Sequence, residues 1–252
     1  RGICSLYVAR LMSFSRVLEG WDSDFPTARC ALLIYVATCL FAIFVTLRSG
    51  AIHDYEAYLQ QWQNILSGAD PWAQTYLGNA LPPNAYGPIH VFMAGSLAID
   101  ELTAKIVMAG LTLLAPFLFL AAPLPKGDRP RAFVLALLLY TCAPIVSITV
   151  FCFGINDGFV GILILCACAL QSRERLGWAG VAIGIAALLK FYPLLFAPLF
   201  AVSRSGVAHV RPILTAGLTF AVGMGHAWFY WGPSAFNPLL YGEARSPKQL
   251  SL

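Results

Sequence analysis

Four short polar stretches interrupt an otherwise apolar chain, and each carries residues able to do chemistry. "AIHDYEAYLQQW" places Asp54 directly after about twenty apolar residues. A carboxylate there is able to take a proton from a hydroxyl that reaches the edge of a bilayer. "FGINDGFVG" sets Asn156 and Asp157 between two apolar runs, where they have hydrogen bonds to offer. "ALLKFYPLLFAPLF" puts Lys190 inside what otherwise reads as one apolar stretch. A lysine at membrane depth is expensive and faces a cavity or a partner by default. Its compact cation suits a phosphate. "ALPPNAYGPIHVF" wraps Tyr86-Gly87 in three prolines, which reads as a rigid loop entering the membrane. Each stretch also has a plain reading: solvated interfacial acids, a glycine-packed turn, a snorkelling lysine and a helix breaker.

The elements that must position these residues follow from composition. The 252 residues are 59% hydrophobic and 11% charged, against about 25% charged in an average soluble domain. Apolar segments run over 30–47, 86–99, 103–123, 132–153, 159–170, 176–189, 193–202 and 212–231. Several approach the roughly 20 residues needed to span a hydrocarbon core. The expected fold class is an all-α polytopic membrane protein, one transmembrane domain over 1–252. The net charge of +4 falls in short clusters between apolar runs, which speaks for topology rather than a nucleic-acid face. Seven cysteines, none in a CxxC, read as small lipid-compatible residues rather than disulfides or metal ligands. His90, His209 and His226 show no metal-ligand spacing, and no nucleotide-binding motif or Ser-His-Asp arrangement is present.

Eleven of the sixteen Lys/Arg lie in 1–29, 124–131, 171–175 and 203–211. Placing these segments in the cytoplasm makes 30–47 a retained signal anchor and 48–85 a non-cytoplasmic first loop. The run 86–99 then becomes a re-entrant half-span, and Asp54, Asn156, Asp157, Lys190 and Arg245 converge on the non-cytoplasmic face. Within the first loop Tyr55, Tyr58, Leu59, Trp62, Ile65 and Leu66 recur at three and four. They predict an amphipathic interfacial helix with aromatic anchors, stopped by Gly68 and followed by a turn at "ADPW". Pro193 predicts a broken helix after Lys190.

The order of these motifs resembles the GT-C integral-membrane glycosyltransferases. The likeness is nearest to the glycosyltransferase 87 (DUF2029) group and the catalytic subunit of GPI mannosyltransferase I. It rests on Asp54, Gly68-Ala69-Asp70-Pro71-Trp72, Tyr86-Gly87-Pro88, Gly154-Ile155-Asn156-Asp157, Lys190-Phe191-Tyr192-Pro193 and the Arg245-Ser246 segment, covering about 51 to 252. Such enzymes continue with further helices, so the resemblance implies the N-terminal part of a longer protein. It also implies a multi-pass enzyme, of a bacterial plasma membrane, moving a mannose-like hexose or a pentose from a polyprenyl-phosphate-sugar. The acceptor is lipid-linked or part of a cell-envelope glycan, and transfer inverts the anomeric centre. Asp54 is then the base, Lys190 and Arg245 hold the donor phosphate, and Tyr86, Asn156, Asp157 and Tyr192 contact substrate. The first loop reads His-Asp-Tyr-Glu where the GPI branch has Asp-x-Asp, so no cofactor or metal ligand is assigned and a divalent metal stays open. The competing reading is a carrier or flippase of lipid-linked sugars, which also uses a membrane lysine and broken helices; no internal repeat supports it.

Overall fold

The computed structural model describes residues 25–51, 54–73, 75–76, 79–80, 84–97, 100, 102–120, 129–138, 143–154, 156–202 and 206–239. Arg245 and His53 lie outside the described residues, as do 1–24, 121–128 and 203–205 of the basic segments. For Asp54 the main chain alone is described.

Among the described residues the secondary structure is helical apart from one pair of two-residue strands and an isolated bridge between Val202 and Ala208. Helix α1 is Phe25–Ser49, and within it Cys30–Ser49 is long and apolar enough to cross a membrane. Helix α2 (Asp54–Leu66) ends as expected at Gly68, whose φ is +93°. The Gly68 and Ala69 amides donate to the Ile65 and Asn64 carbonyls, the paired bonds that close a helix on a left-handed glycine. Strands β1 (Thr75–Tyr76) and β2 (Asn79–Ala80) pair antiparallel, Thr75 facing Ala80. Sequence reading placed no strand in this loop, since two residues are too short for a period to show.

Helix α3 (Pro88–Leu97) lies within the apolar run 86–99. Its ten residues cover only ~15 Å at ~1.5 Å each, half of the ~30 Å hydrocarbon core. The run 103–123 splits into α4 (Thr103–Leu113) and α5 (Ala115–Leu120). Pro116 lacks the N–H that would continue the ladder, so the helix tightens at Leu114. Of the expected span 132–153, residues 139–142 lie outside the described residues, and the parts on either side are helical. Helix α6 (Arg129–Ala136) precedes α7 (Pro144–Val146), which runs into a π-helical turn, Ser147–Cys152. Helix α8 (Asp157–Gln171) starts at the polar pair itself, with Asp157 in the first turn beside the positive end of the helix dipole. Helix α9 (Leu176–Leu189) agrees with its apolar run at both ends. The chain then opens to an extended Lys190 (φ −138°, ψ 135°) and re-forms as a 3₁₀ helix, Tyr192–Ala201. Helix α10 (Arg211–Trp231) ends at Gly232, φ +66°.

Small residues bring α9 against α10. A Cβ on Gly180 would stand 2.1 Å from Thr215 Oγ1, and one on Gly184 would stand 2.6 Å from Thr219 Cβ. Where lipid and core are equally apolar, close packing of small residues is what joins helices. The largest core lies elsewhere, under α2: Tyr55, Tyr58 and Trp62 are fully buried with Met93, Met108, Phe151 and Leu189. The aromatic stripe expected to anchor α2 in lipid therefore packs inside the protein, each ring gaining roughly 1.5–3 kcal/mol from burial. The apolar residues left outside include Leu33, Leu40 and Phe44 on α1, Leu195 and Leu199 on the 3₁₀ segment, and Leu214, Leu218 and Val222 on α10. Outer faces this apolar suit a lipid surround.

Candidate active site

Each polar motif is first fixed by its own backbone. In the Ala69–Trp72 turn the Trp72 amide donates to Asp70 Oδ1 at 2.9 Å, and the Tyr86 amide donates to Asn84 Oδ1 at 3.0 Å. The two turns then interlock. Asn84 Nδ2 donates to the Pro71 carbonyl at 3.1 Å, and Trp72 Nε1 donates to the Tyr86 carbonyl at 2.9 Å. The Tyr-Gly-Pro loop also locks onto the broken helix. The Gly87 amide donates to the Leu189 carbonyl at 3.0 Å, while any Cβ on Gly87 would lie 2.1 Å from the Leu188 carbonyl oxygen. Glycine is required here by close approach of two backbones, not by dihedral freedom.

These locks bring together residues distant in sequence. Lys190 Nζ donates to Asp157 Oδ1 at 2.8 Å and stands 5.3 Å from the centre of the Tyr86 ring. Tyr192 OH donates to the same carboxylate oxygen at 3.5 Å. Tyr58 OH lies 2.9 Å from Tyr86 OH and 3.5 Å from Asn156 Oδ1. Tyr86, Asn156, Asp157, Lys190 and Tyr192 thus share one cluster, with α2 packed against it through Tyr58. Asp54 is the first residue of α2, one turn ahead of Tyr58.

Lys190 is paired with a carboxylate rather than standing alone as a cation. The Lys190 side chain is 19% exposed and that of Asp157 is 47% exposed, so the carboxylate is the more accessible partner. An ammonium carries three N–H donors, and the Asp157 contact accounts for one of them. Asn156 is buried with its Nδ2 unpartnered. Among the described residues no group of His, Cys, Asp or Glu could hold a metal ion.

Sequence reasoning passed over three contributors. His90 is fully buried, its ring 4.6 Å from that of Tyr86 and its Nε2 3.1 Å from Gln61 Oε1. Trp72 anchors the Tyr86 loop, though only its turn was anticipated. Lys105 is fully buried in α4. A lone lysine in "LTAKIVMAG" was signal enough for it, by the same rule that singled out Lys190.

Neither the curated proteins nor the solved structures hold a match to this chain. The family model of glycosyltransferase family 87 matches residues 84–243. That span contains Tyr86, Asn156, Asp157, Lys190 and Tyr192, and it begins after Asp54 and ends before Arg245. With more than half its length inside the match, the chain belongs to glycosyltransferase family 87.

Proposed function

We propose that this glycosyltransferase draws its sugar from a polyprenyl phosphate and works as a multi-pass membrane enzyme with its site on the non-cytoplasmic face. The observation that carries the reading is the joining of Lys190, Asp157 and Tyr86 to the helix that begins with Asp54. A long isoprenoid is soluble only in the bilayer, so its phosphate sits at the interface. Lys190 offers that phosphate its remaining N–H groups while Asp157 holds the ammonium in place. Arg245 supplies a second cation. The aromatic rings of Tyr86 and Tyr192 flank the sugar, and Asn156 and Asp157 meet its hydroxyls or those of the acceptor.

In the reaction the acceptor oxygen forms a bond to the anomeric carbon as the carbon–oxygen bond to phosphate breaks. The hydroxyl proton passes to Asp54, and polyprenyl phosphate leaves with the bonding electron pair. Inversion follows from attack opposite the leaving group. The leaving group already carries negative charge, so cations serve it better than a general acid. The half-span α3 and the break at Lys190 fit this picture, because irregular backbone at membrane depth is tolerated where it lines a cavity.

The test is turnover by the full-length protein in proteoliposomes, with labelled polyprenyl-phosphate-mannose, -glucose and -arabinose and a lipid extract as acceptor. Label on a new acceptor supports the reading. Labelled donor crossing the bilayer unchanged, with no transfer, would make the protein a carrier.

A further inference from the structure

We propose that Lys105 is a positioning residue that sets the place of the base at Asp54; this rests on the reading of Asp54 given above. Lysine is among the side chains least often buried, and at membrane depth an ammonium is costly unless oxygen atoms receive it. Lys105 is nevertheless fully buried. Its Nζ donates to Ser49 Oγ at 2.5 Å and to the Gly50 carbonyl at 2.7 Å, and it stands 5.8 Å from the centre of the Tyr55 ring.

These acceptors close the first helix. Ser49 is the last residue of α1, and its own hydroxyl donates to the Val45 carbonyl at 2.7 Å. Gly50 is left-handed, φ +57°. Carbonyls at a helix C-terminus lack partners and carry the negative end of the dipole, so a cation satisfies both needs. The main-chain N–H of Lys105 makes a second attachment. It lies in the first turn of α4, where helix amides have no partner of their own, and it donates to Tyr55 OH at 3.3 Å.

One residue therefore holds the chain on both sides of position 54, at 49–50 by its side chain and at 55 by its backbone. A third contact reaches the other half of the site. A Cβ on Gly154 would come within 3.1 Å of Lys105 Cγ and 3.0 Å of Tyr55 Cδ2, and Gly154 lies two residues before Asn156. Methionine would fill the same volume. What lysine adds is its bonds to Ser49 and Gly50, which tie the end of α1 to α4.

The experiment is a double-mutant cycle in the full-length protein in proteoliposomes. Lys105→Met, Asp54→Asn and the double variant are compared by initial rate, donor KM and thermal unfolding. Lys105→Met should keep a cooperative unfolding transition and the donor KM, while kcat falls by about 10²-fold, the usual cost of a misplaced catalytic group. On top of Asp54→Asn it should cost nothing more, because residues acting as a unit are not additive. Wild-type kcat in Lys105→Met, or the same proportional loss in both backgrounds, would overturn the proposal while a dead Asp54→Asn leaves the base in place. Full turnover in Asp54→Asn would instead remove the base, and this proposal with it. Should Lys105→Met fail to fold, Ser49→Ala decides. It removes one acceptor from the lysine, and a several-fold fall in kcat that disappears in the Asp54→Asn background supports the role. An unchanged kcat refutes it.

Discussion

Gly87→Ala tests whether the Tyr-Gly-Pro loop is held to the broken helix by contact of their backbones. The new methyl would be placed 2.1 Å from the Leu188 carbonyl oxygen and 2.8 Å from its carbon. Both are below the distances real Cβ atoms tolerate, and neither atom can swing aside as a side-chain tip would. The loop must lift by about an ångström, which strains or breaks the Gly87–Leu189 hydrogen bond of 3.0 Å. Overpacking costs ~1–3 kcal/mol and a lost hydrogen bond ~0.5–1.5 kcal/mol, so the variant should be less stable by roughly 1.5–4.5 kcal/mol. Tyr86 precedes Gly87, so its ring should leave the Lys190 ammonium. A displacement of that size costs about 10²-fold in rate. Thermal unfolding of the detergent-solubilised protein and sugar transfer in proteoliposomes measure the two effects. Gly95→Ala is the control, since a Cβ there meets nothing within 4 Å, and helix propensity favours it by ~0.5–1 kcal/mol. Gly87→Ala with wild-type unfolding and wild-type turnover would refute the backbone lock.

Lys190→Met should change the unfolding temperature little, because a partly exposed ion pair contributes only ~0–1 kcal/mol. It should raise donor KM roughly ten- to a hundred-fold, the worth of a hydrogen bond to a charged group; an unchanged KM would leave the lysine as Asp157's partner alone. Gly180→Ala should lower stability by ~1–3 kcal/mol by pushing α9 from Thr215 and the Pro212 carbonyl, with kcat per folded molecule retained; unaltered unfolding would contradict the close packing. Asp100 accepts from the Thr103 hydroxyl and from the Leu102 and Thr103 amides, which holds its pKa below the usual value. Its contribution is then present above the unfolded carboxylate value of ~3.9 and is lost as pH falls through the lower folded value. Asp100→Asn should flatten that acid limb of the stability curve, and an unchanged limb would refute it.

How much of this was legible in the sequence differs from residue to residue. Gly68 and Pro193 announced the end of α2 and the break after Lys190 because their backbone chemistry is local. The run 176–189 gave α9 directly. Counting basic loops put Asn156, Asp157 and Lys190 on one face with Asp54 and Arg245, and the resemblance added Tyr86; the structure clusters Asn156, Asp157, Lys190 and Tyr86. The ion pair itself was not legible. Asp157 and Lys190 are 33 residues apart, and nothing local says which side chain a half-buried lysine will meet. The stripe on α2 had the right period and the wrong surroundings, since periodicity cannot tell lipid from an apolar protein core. Pro116 divided a run that had been read as continuous, because total hydrophobicity outweighed a single missing amide.

The central claim is that position 54 supplies the base to a cluster organised around Lys190. It is tested most directly by the transfer rate of Asp54→Asn at saturating polyprenyl-phosphate-sugar, with donor binding measured on the same preparation. Asparagine keeps the size and removes the proton acceptor, so turnover should fall about 10²–10⁴-fold with binding intact and Glu56→Gln close to wild type. Near-full turnover in Asp54→Asn, or a loss that follows Glu56 instead, would contradict it.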